Sequence, residues 1–153
     1  LRAKDWRFAS VKAALAEISD QDIPGWEYIY AYRAKCLCIR KVFYDAESQN
    51  PAPIEFETLF VPAINRKVIA TNYDEAYIEY TYQVIDPALF DMSFIMAFSF
   101  LLAAQIAKPV TGNDDIAKLM LQLYGSLVSD AGRINDIEKY IKPNPTSSFE
   151  DVR

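Results

Sequence analysis

Residues 92–107 constrain this chain more than any other stretch. They read MSFIMAFSFLLAAQIA, with Ser93, Ser99 and Gln105 as the only polar interruptions. Asp86-Pro87-Ala88-Leu89-Phe90-Asp91 precedes them and Lys108-Pro109-Val110-Thr111-Gly112 follows. A helix that is apolar nearly all round must be covered on nearly all sides, either in a core or in a bilayer. A membrane-spanning helix needs ~20 apolar residues. The apolar run is shorter than that, ends on Lys108-Pro109 and is flanked by Asp91, so burial in protein is the expectation. A chain of 153 residues has few elements with which to surround such a helix. Either its other helices wrap it or neighbouring subunits do.

That length fits one domain, with room for an inserted subdomain. Ten Tyr, nine Phe and two Trp make the chain aromatic-rich, and its net charge is −5. The acidic balance argues against a dedicated nucleic-acid binder, whose affinity rests on cationic contacts to phosphates. It allows a protein that DNA passes without sticking. Cys36 and Cys38 are the two cysteines. One residue apart on a strand, they point the same way and are poorly placed to bridge each other. With no disulfide framework, folding in a reducing cytoplasm is expected. The opening Leu-Arg-Ala-Lys-Asp-Trp has no apolar signal-peptide core. It lacks an initial Met and reads as the end of a helix, which implies an upstream segment before Leu1.

Along the chain, residues 1–8 read as a helix end, with Trp6 and Phe8 packing at its exit. Residues 10–18 carry Val11, Ala14, Leu15 and Ile18 at helical spacing but are short enough to be extended instead. Asp20, Asp22, Pro24 and Gly25 mark a loop. The period then changes to two, with Trp26, Tyr28, Tyr30 and Tyr32 alternating with Glu27, Ile29 and Ala31. Residues 37–44, 55–61, 68–71 and 76–84 read as further strands, the middle two forming a hairpin around Asn65-Arg66-Lys67. Asp86 is the expected cap of the long apolar helix, with Pro87 at its first position. Thr111-Gly112 ends it, and residues 113–140 form a last helix with Asp114 and Asp115 in its first turn. Residues 142–153 are a Pro/Ser-rich tail that cannot build a core alone. The expected class is α+β. A small antiparallel meander or barrel of about five strands (residues 26–84) lies between helical parts (residues 1–25 and 85–141), with the long buried helix and the C-terminal helix forming a bundle.

Catalytic chemistry has little to stand on. The chain has no histidine, the commonest general acid/base and metal ligand. None of the four glycines forms a phosphate-cradling loop. Cys36 and Cys38 alone fall two ligands short of a tetrahedral metal site, and no cofactor is expected. Helix capping accounts for the carboxylate pairs Asp86/Asp91 and Asp114/Asp115. The tyrosine ladder, with Tyr77, Tyr80 and Tyr82 opposite it, reads either as strand packing or as a protein interface. The tail reads either as a free terminus or as a segment that orders on a partner through Phe149.

Trp6-Arg7-Phe8-Ala9, the strand from Gly25-Trp26-Glu27-Tyr28 to Tyr32, and Lys35-Cys36-Leu37 occur in one order with Tyr80 and Asp86-Pro87-x-x-Phe90-Asp91. Ala103-Ala104 in the apolar helix and Lys108-Pro109-Val110-Thr111-Gly112 complete the series. In order and spacing, over residues 5–137, this resembles the tail tubular protein A (head-to-tail adaptor) family of short-tailed bacteriophages. The chain departs from that pattern in its tyrosine content and in lacking an obvious upstream helix. The resemblance implies a non-enzymatic virion protein at the portal vertex, assembled in the host bacterial cytoplasm. It implies a homo-oligomeric ring, commonly dodecameric, that extends the DNA channel and holds the tail nozzle and fibres. DNA would pass without specific binding, and no membrane is involved. It also implies portal contact through Ile141, Lys142, Pro143, Pro145 and Phe149. Trp26, Tyr28, Tyr30, Tyr32, Phe94 and Phe98 are the candidates for subunit or nozzle contacts. A head-completion or stopper connector of another phage type, or a small carboxylate-using enzyme or ligand-binding domain, are the rival expectations.

Overall fold

The computed structural model describes residues 2, 4–20, 22–48 and 51–138, with side chains to Arg133. Among these residues, six strands form two three-stranded antiparallel sheets. β1 (Ser10–Ala14), β6 (Tyr77–Tyr82) and β3 (Cys36–Phe43) make the first, in the order β1-β6-β3. β2 (Tyr28–Ala31), β5 (Arg66–Thr71) and β4 (Glu57–Val61) make the second, in the order β2-β5-β4. Two helices follow, α1 (Met92–Thr111) and α2 (Asp114–Glu138). The class is α+β with a helix pair, as expected. Among the described residues the strands are six in two sheets, broadly the small antiparallel meander or barrel of about five strands that was expected.

The added strand is β1. Its backbone pairs with β6 from Ser10↔Thr81 to Ala14↔Tyr77, and this long-range ladder overrides the ambiguous local spacing. Just beyond it, Glu17 bridges Tyr30 and the Ile18 amide donates to the Ile29 carbonyl, so the chain passes from the first sheet to the second. Both sheets therefore share one core, built from Tyr30, Val42, Ile54, Ile69, Ala76, Ile78 and Tyr80. The expected hairpin closes through a 3-10 turn at Pro62–Ile64, with Asn65 left-handed at φ 51°.

A second core joins the strand unit to the helices. Trp6, Ala9, Ala97 and Ala131 are buried in it, against Phe8, Val84, Phe94, Tyr124, Leu127 and Val128. Trp6 meets Phe94 edge-on, with ring centroids 5.2 Å apart. Arg40 of β3 holds the incoming segment: its Nε donates to Thr81 Oγ1 at 2.8 Å and its Nη2 to the Lys4 carbonyl at 2.8 Å. The expected helix end around Trp6 is a single 3-10 turn, Arg7–Ala9. Such a turn suffices to aim Trp6 and Phe8 at the helices.

The start of the long helix also differs from expectation. Asp86 caps a 3-10 turn, Pro87–Leu89, by accepting from the Ala88 amide at 3.0 Å. Phe90 is extended, and α1 begins only after Asp91, the N-cap residue. Gly112 closes α1 in the left-handed region at φ 68°, where a side chain is strained. Asn113 then starts α2, accepting from the Asp115 amide at 2.8 Å.

Candidate functional site

The helix hairpin packs through small residues. On α1 the buried side chains are Ala97, Ala104 and Ala107; on α2 the described one is Ala131. Alanines bring two backbones close together. The consequence is an inverted helix. Ile95, Phe98, Leu102 and Ile106, which recur at steps of three and four residues, lie outside the contact, with Phe98 54% and Leu102 50% exposed. Met92, Met96 and Val110 are exposed as well. The expectation that α1 is buried therefore fails within the single chain: 17% of its 18-residue apolar window is covered. At 20 residues, α1 is long and apolar enough to cross a membrane by length and composition. The shorter apolar run does not set the helix length, because α1 continues through Lys108 and Pro109 to Thr111.

α2 is amphipathic in the ordinary sense. Asp115, Lys118, Gln122, Ser129 and Arg133 form an exposed polar stripe on its outer side. Lys118 pairs with Asp115 at 3.2 Å, and Arg133 with Asp130 at 3.1 Å. Beside that stripe runs a second apolar one, Ile116, Leu119 and Leu123, all exposed. The hairpin thus carries two uncovered apolar stripes, one on each helix, neither of which makes the α1–α2 contact.

The second sheet is bipolar in charge. At one end of β2 and β5, Glu27 donates its amide to Asn72, the Trp26 Nε1 donates to Glu57 at 3.1 Å, and Tyr44 stacks on Tyr73 at 5.5 Å. These contacts gather the loops that hold Asp20, Asp22, Asp45, Glu47, Asp74 and Glu75. No Lys or Arg occurs in residues 13–32, 42–65 or 68–107. The other end of the same two strands is cationic and aromatic: Lys67 Nζ lies 5.8 Å from the Tyr32 ring and Lys35 Nζ 5.8 Å from the Tyr82 ring.

The sequence candidates are thereby separated. Phe98 is exposed on the α1 stripe, while Phe94 is half-buried in the joint between strands and helices. Tyr30 belongs to the core and donates its hydroxyl to the Tyr73 carbonyl at 2.9 Å, so it offers no surface. Trp26 and Tyr28 are half-buried near the acidic end, and Tyr32 lies at the cationic end. Ile141, Lys142, Pro143, Pro145 and Phe149 lie outside the described residues. Ile95, Leu102 and Ile106 were missed as surface residues, and the alanine spacing at 97, 104 and 107 was the available signal.

Cys36 and Cys38 are free and half-buried, across a bulge in β3. The Cys36 thiol lies 3.5 Å from the Tyr32 hydroxyl. Burial pushes the Cys36 thiol up, which makes it a poor nucleophile. Burial first, and then the bond to Cys36, push Tyr32 up to about 12. Burial also raises Tyr30, helped by the nearby Asp74 and Glu17 charges. Among the described residues no group of three or more His, Cys, Asp or Glu side chains is arranged to hold a metal ion. No protein-family model matches the chain, and no curated protein matches it.

Proposed function

We propose that this chain is a structural head-to-tail adaptor of a bacteriophage virion, a subunit of a ring beneath the portal that extends the DNA channel and anchors the nozzle and fibres. The observation that carries the reading is the inverted helix α1, on which Ile95, Phe98, Leu102 and Ile106 stay about half uncovered among the described residues. Exposed apolar patches larger than a few hundred Å² mark interaction surfaces. The identity of the assembly is supported by the order and spacing of residues that resemble the adaptor family. In this reading the hairpin faces the portal and the strand unit faces the nozzle. The net charge of −5, repeated around a pore, favours passage of DNA over its retention.

The length and apolar character of α1 favour a second reading, insertion in a bilayer. α2 argues against it. The uncharged stretch of α2, residues 119–129, spans roughly 16 Å at ~1.5 Å per residue, about half of the ~30 Å hydrocarbon thickness. Asp115, Lys118, Asp130 and Arg133 on the packed partner helix would lie at membrane depth.

Negative-stain imaging of the purified chain mixed with the portal of its phage tests the proposal. Rings of fixed symmetry seated on the portal are expected. A chain lacking residues 147–153 should fold as before but dock on the portal more weakly. Monodisperse monomers in every mixture would refute the adaptor reading.

A further inference from the structure

We infer that copies of this chain join through two different faces, the α1 stripe of one copy packing on the α2 stripe of the next. The inference rests on the ring assembly proposed above and names the contact that builds it. Seven large apolar side chains on α1 are exposed: Met92, Ile95, Met96, Phe98, Leu102, Ile106 and Val110. With about half of each uncovered, they offer on the order of 600–800 Å² of apolar surface. One side of a stable protein interface buries ~800 Å². The α1 stripe has no charge between Met92 and Ala107, so a charged partner would lose its hydration without gaining an ion pair. The occupant is therefore an apolar helix face.

Such a face is present on the chain itself. Ile116, Leu119 and Leu123 repeat the three-then-four spacing of Ile95, Phe98 and Leu102. If α1 stripes paired with each other across a two-fold axis, the α2 stripe would stay exposed in every copy. Pairing α1 with α2 covers the α2 stripe and the matching part of the α1 stripe with one kind of contact. A contact between unlike faces does not close after two copies; it propagates into a ring or a filament. Copies related by rotation about one axis keep their hairpins in the same sense. The intermolecular contact then repeats the antiparallel α1–α2 arrangement already formed inside each chain, and the helices make a continuous up-down belt. The polar stripe of α2 remains facing solvent.

Two variants of the full chain test this, Leu102→Asp on α1 and Leu119→Asp on α2. Both side chains are exposed, so far-UV circular dichroism should be unchanged; Leu102→Ser and Leu119→Ser serve where Asp disturbs the helix. Sedimentation velocity at micromolar concentration should show the parent chain assembled and each variant alone monomeric, with association weakened at least tenfold. Mixed in equal amounts, the two variants should form a heterodimer and stop there. The intact α1 stripe of Leu119→Asp meets the intact α2 stripe of Leu102→Asp, and no further good pair remains. Loss of assembly in Leu102→Asp alone, with Leu119→Asp still a dimer, would establish a two-fold α1 contact and overturn the inference. Full assembly of both variants would place the contact on other surfaces, refuting the inference while the ring survives. A parent chain that is monomeric by itself would refute the inference; one that stays monomeric with the portal as well, or that floats with phosphatidylcholine vesicles, would refute both.

Discussion

Replacing Trp6 by Ala should uncouple the helices from the strands. Trp6 is 4% exposed and is the largest buried side chain of the core that joins the two units. Truncating an aromatic at such a site costs about 3–5 kcal/mol. The edge-on contact with Phe94, at 5.2 Å between centroids and 78° between planes, belongs to a class that contributes ~0.5–1.5 kcal/mol beyond area alone. The tilted contact with Phe8 at 6.3 Å is looser. The expected loss is therefore about 4 kcal/mol, a large part of the ~5–15 kcal/mol that holds a typical domain together. With a urea dependence of about 2 kcal/mol per M, the unfolding midpoint should fall by about 2 M. Urea titrations followed by far-UV circular dichroism, at one fixed low protein concentration, measure it. Amide exchange adds the location: protection should fall first in α1 and α2, because β5 and β6 rest on a separate core around Ile69 and Ile78. A midpoint shift worth less than about 1 kcal/mol would refute the assignment of Trp6 as the joint. So would an equal loss of protection in β5.

Three further perturbations follow from backbone and titration. Gly125 sits inside α2 with nothing within 4 Å of the place a methyl group would take, so Gly125→Ala should raise stability by about 0.5–1 kcal/mol. Gly112 is left-handed at φ 68°, so Gly112→Ala should lower stability by about 1 kcal/mol despite equally open surroundings; thermal melts read both signs. Tyr32 titrates at about 12 in the fold against a usual value near 10. Between these values the folded chain keeps a proton that the unfolded chain releases. The contribution is therefore intact below pH ~10 and is lost as pH rises through ~12, by about 1–2 kcal/mol after allowance for partial exposure. Urea midpoints at pH 9 and 11.5 should converge in Tyr32→Phe relative to the parent chain, and an unchanged difference would contradict the assignment.

The sequence made the class legible because its signals were local. Alternation in residues 76–84, the Asn65 turn and the Gly112 break each impose a geometry whatever lies elsewhere in the chain. What escaped depended on distant partners. Val11, Ala14, Leu15 and Ile18 satisfy a helical period, yet β6 claims the segment as a strand. Asp86 and Asp91 are both competent caps, and only the aromatic packing of Phe90 on Phe8 and Phe94 shows why the chain stays extended between them. The alternation of the tyrosine ladder does not translate into two faces for a related reason: the chain crosses between the sheets at Glu17–Ile18, so both Ile29 and Tyr30 become buried and β2 has no simple inner and outer face.

The orientation of α1 escaped for a deeper reason. A helix that is apolar on every side carries no polar stripe to mark its exterior, so hydrophobic periodicity cannot orient it. Side-chain size can. Ala97, Ala104 and Ala107 fall on one face, and the larger Ile95, Leu102 and Ile106 fall on the opposite one. A hairpin meant to stand alone gains most by turning its large side chains inward, since burial scales with apolar area. Here the alanines, with the half-buried Phe94, Phe100 and Leu101, lie on the inner side, and Ile95, Phe98, Leu102 and Ile106 are left for another contact. A substantial part of the hydrophobic driving force on α1 is thus withheld from folding and remains for association. That division predicts a chain whose subunit fold is stable without its neighbours, through the two cores around Trp6 and Ile69, and whose helices reach full protection only on assembly. Exchange measured on the monomeric Leu102→Asp variant should show protected β5 and β6 with faster exchange in α1 than in the assembled parent chain. Equal protection of α1 in the two states would mean that the alanine seam alone secures the helix, and the exposed stripe would then lose its claim to be half of a contact.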